Sequence, residues 1–312
     1  MNRTTERKII VVNRQTRLDG LLYRHNTIEQ ARFYVEGFGA DFNDYVLEDK
    51  LYKDALISAE STLSQIGRVQ LLERNFLPNF IFGKDDLIVV IGQDGLVANT
   101  LKYVPEQHVI AINPDPDRND GILLPFLIGD LKSIALEVMS NNRSTKEITM
   151  AKANLSDGQS LLAVNDFFIG PERHTSARYK LELNGVSEFQ SSSGVIISTG
   201  LGSTGWFKSI ITGATSVAKS LGNTIGDSGL MDGFSWDSDS LFYTVREPFP
   251  SNATGTNLVF GEFTSRSGFN MTSAMPNEGV IFSDGLLDDA VSFYSGVNVN
   301  ISTAKEKGQL VI

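Results

Sequence analysis

The chain has 312 residues, 41% hydrophobic and 21% charged, with a formal net charge of −10 and no cysteine. That length and apolar content suit two domains with a sizeable buried core, while the missing cysteines exclude disulfides, thiolate catalysis and Cys-based zinc sites. The acidic balance argues against nucleic acid, whose binding rests on clustered Lys and Arg, and no apolar run approaches the roughly 20 residues that cross a bilayer.

From the N-terminus, Met1 to Lys8 leads directly into Ile9-Ile10-Val11-Val12 with no apolar core of a signal peptide, which predicts a cytoplasmic protein that does not act in a membrane. Ile9 to Val12 reads as a strand. Thr27-Ile28-Glu29-Gln30 has capping-box spacing ahead of Ile28, Ala31 and Val35 on one helical face. A second helix is predicted over about Lys50 to Gln65, a short strand over Val69 to Leu72 and a buried strand over Leu87 to Ile91.

That last run stops at Gly92-Gln93-Asp94-Gly95, two glycines enclosing one carboxylate, and Val97, Leu101 and Val104 follow at helical spacing. A strand opening into such a loop, with a helix N-terminus aimed back at it, forms a phosphate-sized cradle. A carboxylate there repels phosphate unless a cation or a reacting hydroxyl lies between them, so Asp94 points to base chemistry or metal-assisted chemistry. The same residues also make an ordinary turn with an Asx-type aspartate at a helix start.

Val109 to Asn113 adds another strand and ends in the turn-rich stretch Pro114 to Gly121. Asp115, Asp117 and Asp120 in that stretch could gather a cation, although proline-rich turns favour aspartate for their own geometry. This βαβ alternation predicts a parallel sheet in a first domain over residues 1–137.

From residue 138 to 312 the pattern changes to short strands and turns, predicting a β-rich domain whose last segment packs back on the first. Ala177 to Leu183 alternates apolar and charged residues, and Asn184-Gly185 is a type I′ turn signal into Val186 to Phe189. Strands are also predicted at Leu241 to Val245, Thr256 to Phe263 and Val291 to Ile301, with a mobile loop over Gly222 to Asp239. Asp284-Gly285 reads as a structural strand-to-turn step. A second glycine-rich segment, Ser191 to Trp206, suits close backbone approach to a ligand with an aromatic ring to stack on. It equally suits a tight turn before a helix over Lys208 to Ser220, with Ser203 or Thr204 as N-cap.

Together these segments resemble the NAD kinase family. Gly92-Gln93-Asp94-Gly95 stands where that family has Gly-Gly-Asp-Gly, Asn165-Asp166 where it has Asn-Glu or Asn-Asp, and Gly202-Ser203-Thr204-Gly205-Trp206 where many members have Gly-Ser-Thr-Ala-Tyr. Asn113 to Gly121, Ser193-Gly194 to Trp206 and Arg246-Glu247-Pro248 look most like the mitochondrial-type branch.

The resemblance implies an α/β fold, with an N-terminal Rossmann-like parallel-sheet domain and a C-terminal β-sandwich-like domain. It implies transfer of the γ-phosphoryl of ATP to the adenosine 2′-hydroxyl of NAD, giving NADP, with Mg²⁺ or another divalent cation accompanying ATP. A homo-oligomer, dimer or tetramer, is expected on the same ground. By carry-over, Asp94 is the catalytic base or hydroxyl-orienting group, and Gly92, Gln93, Gly95 and Asn99 belong to the nucleotide-binding loop and its helix. Asn165 and Asp166 would hold ribose hydroxyls and the adenine side of NAD, Thr204 would contact a base, and Trp206 would stack in place of tyrosine; Ser193, Gly202, Ser203 and Gly205 complete the NAD set.

The chain departs from the family at Gln93, which is expected to limit backbone freedom, at Leu96, which removes a hydroxyl, and at Ser193, where many members have aspartate. Two further readings stand beside the kinase: a lipid or sugar kinase of the same superfamily, and a non-catalytic protein that senses NAD(P) or another nucleotide.

Overall fold

The structure, a computed structural model, describes residues 3–104, 106–224, 226 and 229–312. Two compact units emerge, one running to Lys146 and including Gln309–Ile312, the other Glu147–Gly308.

In the first unit, strands β1 (Lys8–Asn13), β2 (Arg68–Glu73), β3 (Leu87–Ile91) and β4 (His108–Asn113) form a parallel sheet in the order β2-β1-β3-β4. β3 is buried along its whole length, as expected of an uninterrupted apolar run in a sheet covered on both faces. Helices α1 (Arg17–His25), α2 (Ile28–Gly37) and α3 (Phe42–Ser64) connect β1 to β2, and α4 (Asp94–Leu101) follows β3. The short β5 (Phe126–Leu127) extends the far edge of β4 and leads to α5 (Leu131–Met139). Residues of α3 and α5, including Ala59, Leu63, Ile134 and Val138, pack with Ile9, Val11, Val89, Ile91 and Ile110 of the sheet.

The chain winds outward from β1 to β2, then returns to the other side of β1 for β3. The direction of winding therefore reverses between β1 and β3, and the crevice beyond the carboxyl ends of such a pair is where open α/β sheets hold ligands.

Helix α1 was not legible as an element. Thr16 opens it with a full capping box, accepting from Asp19 N while the Asp19 carboxylate accepts from Thr16 N. Thr27 caps α2 by accepting from Gln30 N. α3 starts at Phe42 rather than Lys50, capped by Asp41 on Asn43 N. Its buried stripe contains Glu48 and the small Ala55 and Ala59, so hydrophobicity alone does not mark its full length.

The second unit holds β6 (Thr145–Leu155), β7 (Ser160–Ala163), β8 (Asp166–Pro171), β9 (Ala177–Leu183), β10 (Val186–Ser192), β11 (Val195–Ser198), helix α6 (Trp206–Ser220), and then β12 (Ser240–Val245), β13 (Phe260–Thr264), β14 (Phe269–Ser273), β15 (Gly279–Ser283), β16 (Leu286–Ser292) and β17 (Asn298–Val311), whose last residues belong to the first unit. One antiparallel sheet runs β13-β12-β11-β8-β15-β16. The other places β10, β9, β14 and β17 side by side, with β6 and β7 beyond β17. Tyr179, Leu181, Phe269 and Met271 from one sheet and Phe167, Ile169, Ile197, Tyr243 and Ile281 from the other share a single apolar core, the arrangement of a β-sandwich.

β9 alternates buried and exposed residues as predicted, and Asn184 and Gly185 take φ of 52° and 79°, the type I′ turn. The segment Thr256 to Phe263 is strand only from Phe260, and Val291 to Ile301 divides between β16 and β17. Of the Gly222–Asp239 segment, residues 225, 227 and 228 lie outside those described, as do residues 1 and 2; the described remainder includes a 3₁₀ turn at Leu230–Asp232. Among the described residues no helix is long and apolar enough to cross a membrane.

Candidate nucleotide sites

The Gly92–Gly95 loop sits at the carboxyl end of β3, beside the winding reversal. Gln93 is the N-cap of α4 with φ −129° and ψ 167°, extended backbone that any residue adopts. The expected restriction at this position is therefore absent. A Cβ on Gly92 would lie 2.8 Å from Leu96 Cδ2, so Leu96 fills the space beneath that glycine. A Cβ on Gly95 would meet nothing within 4 Å. Among the described residues nothing crowds a side chain at position 95.

Asp94 is the first residue of α4 and is half-buried. Its Oδ1 accepts a hydrogen bond from Leu123 N at 2.6 Å. Its other carboxylate oxygen, and the backbone N–H groups of Asp94 and Gly95, have no partner among the described residues, whereas Leu96 N and Val97 N bond back to Gln93 O at 2.8 and 3.3 Å. Two unpaired N–H groups and the positive end of the helix thus lie next to one available carboxylate oxygen, a place suited to a phosphate group next to a hydroxyl. Asn99, one turn beyond Gly95 on the same helical face, is only 4% exposed.

The crevice is held in register by Tyr52 of α3, whose hydroxyl donates to Ile91 O at the end of β3 and accepts from Arg14 N just past β1, both at 2.8 Å. Burial pushes this phenol up to about 12, so it remains a donor at neutral pH. In the Pro114–Gly121 turn, Asp115 is paired with Arg118, which also pairs with Asp44. Among the described residues no group of three or more His, Asp or Glu side chains is placed to hold a metal ion.

In the second unit, Asn165 and Asp166 stand at the start of β8. Their backbone is gathered by Asp284, whose Oδ1 accepts from Val164 N at 3.1 Å, Asn165 N at 2.6 Å and Asp166 N at 3.3 Å. Asp284 has φ of 55° in the turn between β15 and β16, and its own N–H donates to Asp166 O at 3.0 Å. On the other side, Thr199 donates through Oγ1 and N to Asn165 O, and Gly202 is pressed so close that a Cβ would lie 2.0 Å from the same oxygen. The Asp166 carboxyl is raised to about 7, first by burial and second by the Asp284 charge.

Neither Ser203 nor Thr204 caps α6. Ser203 Oγ instead donates to Gly200 O at 2.6 Å and accepts from Phe234 N at 3.1 Å, and Gly205 is the N-cap. Thr204, the last residue of the 3₁₀ turn that precedes the helix, and Gly205 after it are exposed. Trp206, first in the helix, lines a pocket of about 830 Å³ with Ser193, Phe168, Phe282, Arg246 and His174. Its ring stacks on Phe168 (centroids 6.0 Å apart, 11° between planes), Phe168 stacks on Phe282 at 4.9 Å, and the Arg246 guanidinium lies 5.7 Å from the Trp206 centroid. An aromatic wall with a guanidinium beside it suits a flat ring carrying charge. Trp206 and Ser193 thus share this pocket, while Asn165, Asp166 and Thr204 are not in its lining.

No protein-family model matches the chain, and no curated protein sequence is similar to it. Among solved structures it is similar to an NAD kinase from Archaeoglobus fulgidus in complex with ATP, at 15% identity over 98% of this chain and 93% of that one, TM-score 0.57. It is also similar to yeast NADH kinase complexed with NADH, at 13% identity over 98% and 84% of the two chains, TM-score 0.55. The fold is that of the NAD kinases. Within this NAD kinase-like fold, sequence reasoning missed Asp284, Phe168, Phe282 and Tyr52 as site-building residues. Asp284-Gly285 was visible as a turn, but its partners at Val164–Asp166 lie up to 120 residues away and left no local signal. Phe168 and Phe282 read as ordinary strand residues.

Proposed function

We propose that the chain is an NAD kinase, transferring the γ-phosphoryl of ATP to the adenosine 2′-hydroxyl of NAD or NADH. The observation that carries this reading is the half-buried Asp94, with one carboxylate oxygen anchored on Leu123 N and the other available beside the unpaired N–H groups of Asp94 and Gly95. The 2′-oxygen forms a bond to the γ-phosphorus as the bond to the β,γ-bridging oxygen breaks; ADP leaves, and the hydroxyl proton passes to the free oxygen of Asp94. Such a transfer rests mainly on positioning and charge neutralisation, so neither histidine nor cysteine is needed.

The neighbouring structures bear on both substrates, since one holds ATP and the other NADH. In the dinucleotide half, Asn165 and Asp166 are rigidly presented by Asp284 and Thr199 to take ribose hydroxyls, and the Phe168–Trp206 wall offers a face to a base or nicotinamide ring. Magnesium is commonly held by one or two carboxylates together with substrate phosphates. A cation of that kind would arrive with ATP, held by the substrate phosphates rather than by the Asp94 oxygen that takes the proton, and when bound it would neutralise charge on the transferring phosphates. Arg246-Glu247-Pro248 and the Asn113–Gly121 turn bring the chain nearest in motif to the mitochondrial-type branch of the family.

The test is NADP or NADPH formation by the purified chain from ATP, Mg²⁺ and NAD or NADH. Product is expected from at least one acceptor. No product from either acceptor, with both nucleotides bound, would leave a sensor; phosphorylation of a lipid or sugar instead would move the assignment to another acceptor class.

A further inference from the structure

Between β4 and β5, residues 114–125 form no helix or strand, yet this loop carries the N–H group that holds Asp94. Its two halves are anchored by different means. Asn113, buried at the end of β4, accepts through Oδ1 from Asp115 N at 3.1 Å and donates through Nδ2 to Asn119 O at 3.2 Å. Arg118 N and Asn119 N both donate to Asp115 O, at 3.2 and 3.0 Å. Those bonds pin the first half to its own strand. The second half turns at Gly121, where a φ of 67° and a Cβ position 2.6 Å from Asn113 Nδ2 leave no room for a side chain. Leu124 N bonds within that turn, to Gly121 O at 3.0 Å, while Leu123 N reaches out to Asp94 Oδ1.

The loop is tied to the helical layer by Arg118. Its Nη1 pairs with Asp115 in the loop and its Nη2 with Asp44 in the first turn of α3, so one guanidinium bridges carboxylates from two separate elements. Asp44 also takes Arg17 Nη2 at 2.7 Å, Arg17 Nε pairs with Glu48 one turn further along α3, and Glu48 takes Arg14 Nη2 at 2.9 Å. A continuous ionic line therefore runs from Asp115 through Arg118, Asp44, Arg17 and Glu48 to Arg14. Hydrogen bonds from Arg17 and then Arg118 hold the Asp44 carboxyl below the usual carboxylate range. Arg118 is exposed, and an isolated exposed pair contributes little, because water screens it and two side chains must be ordered. Here, however, the line contains two buried carboxylates, Asp115 and Glu48, and the planar fork of Arg118 serves both of its partners at once.

We propose that Arg118 is a positioning residue for Asp94: by strapping the β4–β5 loop to α3 it fixes Leu123 N, which holds one Asp94 oxygen and so sets the direction of the other. The proposal rests on the kinase reading of Asp94 and adds to it a residue whose ionic partners are Asp44 and Asp115. Catalysis by a placed group is steep in geometry, and a displacement of about 1 Å can cost about a hundredfold. With the strap cut, the loop keeps its turn through Asn113 but loses its fixed distance from α3, and the Asp94 carboxylate loses the donor that orients it. The loss falls on the chemical step rather than on binding.

Two measurements on the full chain test this, steady-state kinetics with ATP and NAD and hydrogen exchange at the Leu123 amide, in the wild type, Arg118→Ala, Asp44→Ala and the double variant. Arg118 and Asp44 are on the surface, so all are expected to fold, which thermal unfolding verifies. In Arg118→Ala kcat should fall by about ten- to a hundredfold with KM for ATP and for NAD unchanged. Arg118→Lys, which keeps the charge but not the fork, should recover part of the loss. The double variant should be no slower than the slower single one, since either change severs the same strap, whereas independent effects would multiply. The Leu123 amide should exchange faster in each variant. Wild-type kcat in Arg118→Ala, a rise in KM with kcat kept, or unaltered exchange at Leu123 would overturn the proposal. Exchange is read without turnover: if the wild type makes no NADP the kinase reading fails, and faster exchange in Arg118→Ala then leaves the strap standing for another use of Asp94.

Discussion

Two glycine-rich loops, one in each unit, look alike in sequence and differ in what their glycines do. In the β-sandwich unit the glycines are dictated by the chain itself: a Cβ would lie 2.0 Å from Asn165 O at Gly202, 1.9 Å from Ser235 O at Gly200 and 2.9 Å from Ile169 O at Gly194. In the parallel-sheet unit a Cβ on Gly95 would meet nothing within 4 Å, and the neighbouring N–H groups have no partner among the described residues. The first set packs backbone against backbone to shape a site. Gly95 instead is exposed in the first turn of α4, where its N–H group can meet a hydrogen-bond acceptor.

The largest effect is expected at Gly202. Gly202→Ala forces a methyl into a carbonyl oxygen, and we expect a loss of several kcal/mol, at or beyond the upper end for overpacking, seen as a collapse of the thermal midpoint. Gly95→Ala should do the opposite to stability, raising it by about 0.5–1 kcal/mol through the helix preference of alanine, while Mg-ATP binding weakens. A destabilised Gly95→Ala with unaltered ATP binding would show that the two loops are of one kind.

The dinucleotide half can be sharpened through Asp284. Asp284→Asn keeps the left-handed turn accessible but removes the charge that collects three N–H groups, and is expected to cost about 1–3 kcal/mol and to raise KM for NAD with KM for ATP unchanged. The smallest effect is on pH dependence. Asp166 is raised to about 7 by burial and then by Asp284, so the folded state favours its protonated form. Its contribution to stability is present below the ordinary carboxylate range and is lost as pH rises through about 7. Asp166→Asn should therefore gain on the wild type across about pH 4 to 7 and hold a constant difference above that window, measured as denaturation midpoints. A difference that does not change with pH would show that Asp166 titrates normally.

Much of this was legible along the chain because the signals were local. The Leu87–Ile91 run, its glycine-bounded carboxylate, the β9–β10 hairpin and the change from βαβ to β-rich texture each occupy a few consecutive residues. Arg14, Arg17 and Arg118 carry no periodicity, and are joined only because α3 brings Glu48 and Asp44 between them. Asp284 looked like any Asp-Gly turn because its partners belong to β8. Gln93 looked like a handicap only while a left-handed backbone was assumed there; at φ −129° it is an ordinary helix cap.

Comparing NADP formation and Mg-ATP binding in the wild type and Asp94→Asn tests whether the free oxygen of Asp94 receives the proton of the attacking hydroxyl. In Asp94→Asn, kcat should fall by about 10²–10⁴ with the thermal midpoint and ATP affinity preserved, since Asn keeps an acceptor for Leu123 N but is no base. Turnover within a few-fold of the wild type would contradict it.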